Sequence, residues 1–284
     1  MDYILLFSIV IGLTLQQIAS KFYGDKVQGG AYSFTMGTIL VALLFFIFTS
    51  GGDFVFSTSY VGYAVLFGFS TCVTLLFTLL AINEGTLSLT SLINQYSLLI
   101  PTVYGLLMLN EPIGTYLVVG VILLMVSLAL INLEKGEGYK RITLKWGIYV
   151  FLAFVGNGAC STIQKVQQLE CGGQYKNEFM IIAYAISVVG LTVCMLLFER
   201  ENCLHDIKKG SGCIVIRGLS LALVNLLVMV LSNTMPASVM FPIISAGGIV
   251  VTFLVALFIY KEKLSTLQNI GLILGIISII FLNM

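Results

Sequence analysis

Charge is scarce in this chain. Only 10% of its 284 residues are Asp, Glu, Lys or Arg, against roughly a quarter in soluble domains. The 14 basic and 13 acidic side chains nearly cancel, to a net +1, and form no basic cluster. A nucleic-acid partner therefore has no support. There is one histidine, His205, and no Asp or Glu lies in the middle of any apolar run, so an intramembrane enzyme lacks its acid–base pair. No phosphate-binding GxxxxGK[ST] pattern occurs and no long polar segment could house a nucleotide domain, which disfavours a primary pump. The N-terminus, MDYILLF, lacks the basic start and small-residue cleavage site of a signal peptide, and is expected to stay as a helix.

What the chain has in abundance is apolar sequence, 58% of it. Runs of about 18–23 apolar residues recur along the whole length, each able to cross a hydrocarbon core of about 30 Å as a helix. Ten spans are expected, at 3–20, 31–49, 59–82, 86–108, 113–132, 146–167, 178–198, 213–233, 237–260 and 264–283. The expected class is an all-α integral membrane protein, since helices satisfy every backbone group internally. Cys72, Cys160 and Cys194 fall inside apolar runs and read as small packing residues. Cys203 and Cys213 flank His205 without any standard zinc spacing, so neither metal nor cofactor is expected.

One phrase appears twice. NEPIGTYLVVGVILLMVSLALIN (110–132) and KEKLSTLQNIGLILGIISIIFLN (261–283) agree at seven of 23 positions without a gap. Glu111 meets Glu262, Thr115 meets Thr266, Gly120 meets Gly271, Ser127 meets Ser278 and Asn132 meets Asn283. A shorter match sets TLQQ (14–17) against TIQK (162–165). The chain thus reads as a five-helix repeat over 1–133, a connecting loop at 134–145 and a second five-helix repeat over 146–284. An odd helix number inserts the second copy upside down, and such inverted repeats are the basis of alternating access.

Lys and Arg crowd one side: Lys21, Lys26, Lys135, Lys140, Arg141, Lys145, Arg200, Lys208, Lys209, Lys261 and Lys263 follow odd-numbered spans. Lys176 stands opposite, with Lys165 near a helix end. This bias places the odd-numbered loops in the cytoplasm and both termini outside.

The pattern NEP…G at Glu111 and Gly120, repeated as KEK…G at Glu262 and Gly271, with Pro101 in span 4, resembles the drug/metabolite transporter superfamily in its ten-helix, EamA-like branch. The resemblance covers essentially the whole chain. It implies a multi-pass plasma-membrane carrier of small molecules, with spans 5 and 10 pairing within one chain as the last helices of the smaller four-helix relatives pair between chains. It also implies termini in the cytoplasm, against the charge bias. The sequence departs from the family at Thr252, which stands where the repeat would echo Pro101, and in span 1, which lacks the family's tryptophan. Span 1 also lacks the glutamate of the small multidrug relatives.

Polar side chains inside a bilayer are costly and mark cavities or functional sites. Span 4 carries Asn94, Gln95, Tyr96 and Ser97 a turn before Pro101. Span 6 carries Asn157, Ser161 and Gln164 on one helical face, and span 3 does the same with Thr71, Thr74 and Thr78. Gln16 and Gln17 in span 1, Asn225 in span 8 and Ser245 in span 9 complete the expected substrate-lining set. Arg217 suits either an anionic group or snorkelling to the interface, and Glu84, Glu111 and Glu262 are placed at helix ends. The expected function is a non-enzymatic secondary transporter of a small polar, zwitterionic or amphipathic metabolite, working as a single chain or a dimer in the bilayer. The alternative is a membrane receptor or assembly subunit on the same fold.

Overall fold

The computed structural model describes residues 2–84, 93–94, 96–132, 143–199, 203–258 and 266–282. They are helical, with no strand among them. The helices are α1 (Asp2–Phe22), α2 (Ala31–Thr49), α3 (Thr58–Glu84), α4 (Leu99–Met108), α5 (Thr115–Asn132), α6 (Leu144–Glu170), α7 (Lys176–Phe198), α8 (Ser211–Thr234), α9 (Ala237–Phe258) and α10 (Thr266–Leu282). A short helix, Cys203–Lys209, precedes α8. Six helices (α1, α2, α3, α6, α7 and α8) are long and apolar enough to cross a membrane; four shorter apolar helices accompany them. Large apolar side chains such as Phe48, Phe69 and Val189 stand exposed, which in a bilayer puts them against lipid. The chain is an all-α membrane protein.

Contacts divide it into two compact units. The first comprises residues 1–10, 76–162 and 234–284; the second, 11–75 and 163–233. Each draws on both halves of the sequence.

In the first unit the doubled phrase has a physical use. Gly120 of α5 lies so close to α10 that a Cβ there would sit 2.8 Å from Leu282 Cγ and 3.2 Å from its backbone nitrogen. About two turns on, Ser127 Oγ donates to the Gly271 carbonyl of α10 (2.6 Å), and Gly275 faces Ser127. Small residues let the backbones approach, and a hydroxyl spans the gap, as expected between helices that have no hydrophobic drive in lipid. The pairing of spans 5 and 10 is thus present. It is not symmetric: Ser278, the echo of Ser127, is buried with its hydroxyl unbonded among the described residues.

Glu111, expected at a helix end, reaches the start of a different helix. Its carboxylate accepts the Ala237 N–H (2.7 Å) and the Ser238 N–H (2.8 Å), two of the unpaired donors at the start of α9. Gly105 makes room, since a Cβ there would meet Glu111 Oε2 at 2.6 Å. Glu84 pairs with Lys145 at the surface, and Glu262 lies outside the described residues.

The second unit repeats this device. Glu199, just past α7, accepts the Tyr32 and Ser33 N–H groups (3.0 and 2.8 Å) and the Ser33 hydroxyl at the start of α2. Asp206 accepts the Gly30 N–H (2.7 Å), and Lys209 donates to the Val27 carbonyl. Tyr23 stacks on Phe34 at 4.0 Å. Burial, with Asp206 and Glu199 close by, pushes its phenol up to about 12. The phenol therefore stays protonated and bonded to the Gly30 carbonyl. Arg217 lays its guanidinium 5.0 Å from the Phe34 ring centroid. None of the six cysteines is in a disulfide, and the described residues hold no metal-binding group.

Candidate functional site

Helix α4 begins late. Residues 97 and 98 form a turn and the helix restarts at Leu99. Pro101 has no N–H to give to the Ser97 carbonyl four residues back. That carbonyl accepts from the Ile100 N–H instead (3.0 Å), and the Ser97 N–H reaches only to the Asn94 carbonyl (3.2 Å). The ladder tightens to a three-residue step, and the interruption falls on the polar residues of span 4.

A hydrogen-bond chain is built there. Asn157 of α6 donates from Nδ2 to Ser97 Oγ (2.6 Å), Ser97 Oγ donates to the Asn94 carbonyl (2.5 Å), and Asn94 Nδ2 donates to Thr78 Oγ1 of α3 (3.1 Å). Asn94 Oδ1 is buried with no partner among the described residues. The chain therefore ends in a free acceptor inside the bundle. Ser161 donates back to the Asn157 carbonyl (3.4 Å).

On the other side of the interruption, Tyr96 donates to the Met125 carbonyl of α5 (3.1 Å). Tyr96, Leu99, Pro242 and Ser245 line a cavity of about 10 Å³, room for one water molecule. Ser245 is 3% exposed and its hydroxyl has no partner among the described residues. Pro242 inside α9, rather than the site of Thr252, is where α9 loses a backbone donor. Gln95 lies outside the described residues.

In the second unit, Gln164 Nε2 of α6 donates to Asn225 Oδ1 of α8 (2.7 Å), and Asn225 Nδ2 donates to the Leu221 carbonyl (2.9 Å). Thr71 and Thr74 bond carbonyls one turn back in their own helix. Gln16 Nε2 has no partner among the described residues; the Gln17 side chain lies outside the described residues. The expected set thus gathers into Asn94 with Asn157, Tyr96 with Ser245, and Gln164 with Asn225.

Sequence reasoning placed Lys165 near a helix end. The structure buries it at 3% exposure, with Nζ donating to the Ser232 carbonyl of α8 (2.7 Å). A signal was available, because TIQK against TLQQ sets Lys165 opposite Gln17 in the repeat.

No family model and no curated protein matches this chain. A solved structure described only as a crystal structure of a protein is similar to it, with a TM-score of 0.81 over 100% of this chain and 98% of the other at 11% identity. At that identity the likeness concerns the fold.

Proposed function

We propose that this chain is a secondary transporter of a small polar or amphipathic solute, built from ten spans as two inverted five-helix repeats and similar to the EamA-like carriers. The observation that carries this reading is the turn at residues 97 and 98, which breaks span 4 just before α4. Irregular backbone at membrane depth is tolerated where it lines a cavity or is buried in protein, and transporters place solute sites at such breaks. Here the break coincides with Asn157, Ser97, Asn94 and Thr78, and leaves Asn94 Oδ1 free to accept from a solute. The doubled phrase and the close pairing of α5 with α10 support a repeat architecture, and the resemblance to the EamA-like carriers is what suggests the plasma membrane.

Reconstituted in proteoliposomes and screened against a metabolite panel, the protein should move at least one solute down its gradient. Asn157→Ala and Ser97→Ala should each lower that flux by about tenfold, the worth of one to two hydrogen bonds, with unchanged yield of folded protein. Binding without flux would point to a receptor; wild-type flux in both variants would remove the α4 cluster from the site.

Orientation has its own test. Cys203, only 8% exposed, is a poor reporter, whereas its neighbour Leu204 is 80% exposed. In Leu204→Cys cells an impermeant maleimide should label position 204 only after permeabilisation, because the basic odd-numbered loops lie in the cytoplasm. Labelling of intact cells, beyond that of the unsubstituted protein, would invert the topology.

A further inference from the structure

Towards its end α6 turns a row of polar side chains inward. Gln164, Lys165, Gln167 and Gln168 are each at most 4% exposed. The Lys165 ammonium donates to the Ser232 carbonyl. Ser232 lies in the last turn of α8, where carbonyls lack helical partners, so part of this contact is a helix cap. A neutral donor would cap as well. Ionisable groups retained within membrane bundles face the interior and mark solute paths.

The surroundings are incomplete. Gln168 Nε2 donates to Gln167 Oε1 (2.5 Å), yet Gln168 Oε1 has no partner among the described residues. The Ser232 hydroxyl, next to the carbonyl that holds Lys165, has none either. Both side chains have no exposed surface. A buried acceptor and a buried hydroxyl left unmet each carry a penalty, which a ligand would relieve. Beside a cation, the fitting ligand pairs negative charge with a hydrogen-bond donor.

We propose that Lys165, Ser232 and Gln168 form a binding site for the carboxylate end of the solute, so that the transported class is a carboxylate carrying a nearby N–H or O–H donor. Lys165 supplies the counter-charge, the Ser232 hydroxyl a further hydrogen bond, and Gln168 Oε1 accepts from the solute's donor. This rests on the transport reading above, but its test does not.

Thermal unfolding of the purified full chain is measured with millimolar acetate, pyruvate, benzoate and L-phenylalanine, each against its own amide. At least one acid should raise the apparent Tm where its amide does not. Lys165→Gln keeps a donor for the Ser232 carbonyl and removes the charge; it should weaken that acid's binding by about 10–100-fold, as expected for loss of a charged hydrogen bond. Lys165→Arg should retain it within a few-fold. No difference between any acid and its amide, or wild-type binding by Lys165→Gln, would overturn the site. If Lys165→Gln is not obtained folded, the acid–amide comparison on the unsubstituted protein decides. Flux separates the two readings. An acid that binds through Lys165 but is not moved in proteoliposomes defeats transport and leaves the site. A neutral solute carried equally by the unsubstituted protein and Lys165→Gln, with no acid–amide difference, defeats the site and leaves transport.

Discussion

Gly68→Ala should destabilise the protein by about 2 kcal/mol, even though alanine is the better helix former. A Cβ at Gly68 of α3 would stand 2.6 Å from the Ala183 carbonyl oxygen and 3.0 Å from Ile186 Cβ, both on α7. The oxygen belongs to backbone and cannot swing away. The helices must part, and Ser187 of α7 ties them: its hydroxyl shares its proton between the Gly68 carbonyl across the gap (3.1 Å) and the Ala183 carbonyl one turn back in its own helix (3.0 Å). Overpacking of this sort costs about 1–3 kcal/mol, and separation also weakens a buried hydrogen bond worth about 1 kcal/mol. The propensity gain returns at most about 1 kcal/mol. Gly62→Ala on the same helix, where nothing approaches within 4 Å, isolates that gain and should be neutral or stabilising. Thermal or denaturant unfolding in detergent measures both, and equal effects at the two positions would refute the account.

The second large effect is expected at Glu111. Glu111→Ala leaves the Ala237 and Ser238 N–H groups without their acceptor. Ala237 and Ser238 are 0% and 1% exposed, so water cannot readily replace the carboxylate. Loss of an end cap costs about 0.5–2 kcal/mol in water, and two charged hydrogen bonds into buried donors raise the expectation to about 3 kcal/mol. Glu111→Gln should fall between, because an amide offers one acceptor oxygen and turns its NH2 towards the second donor. Gly105→Ala should resemble Glu111→Ala, since its Cβ would occupy the space of the carboxylate. The measurement is again unfolding of the purified variants, and a Glu111→Ala protein as stable as the unsubstituted one would show that the cap contributes nothing.

These two residues also show what a sequence can and cannot disclose. The repetition of Glu111 as Glu262 marked it as needed, but not for what. Its partners lie 126 and 127 residues away, and no local pattern names them. Gly120, Ser127 and Gly271 were legible as echoed positions of the doubled phrase, whereas the pairing of spans 5 and 10 came from the family resemblance. The interruption of α4 was half legible. Pro101 announced a weak ladder and the cluster from Asn94 to Ser97 announced polarity, but the position of the turn depends on which neighbouring donor reaches the Ser97 carbonyl. Lys165 misled for the opposite reason. Sorting lysines by their distance from a helix end assumes that helix ends are wet, whereas α6 runs to Glu170 and α8 covers the position. Arg217 posed a similar choice, and the answer, a ring beneath the guanidinium, comes from α2.

The division of the chain into two interleaved units has a consequence for its biosynthesis. Residues 11–75 complete their unit only with residues 163–233, the first of which leave the ribosome about 90 residues later, roughly 4–18 s at about 5–20 residues per second. During that interval the early helices wait in the lipid with Gly68 and Ser33 facing no partner, and chaperones or proteases of the membrane have their opportunity. A gene cut between residues 132 and 143 would yield two polypeptides, neither holding a whole unit. Made alone, each is expected to be degraded; made together in one cell, they should rescue each other.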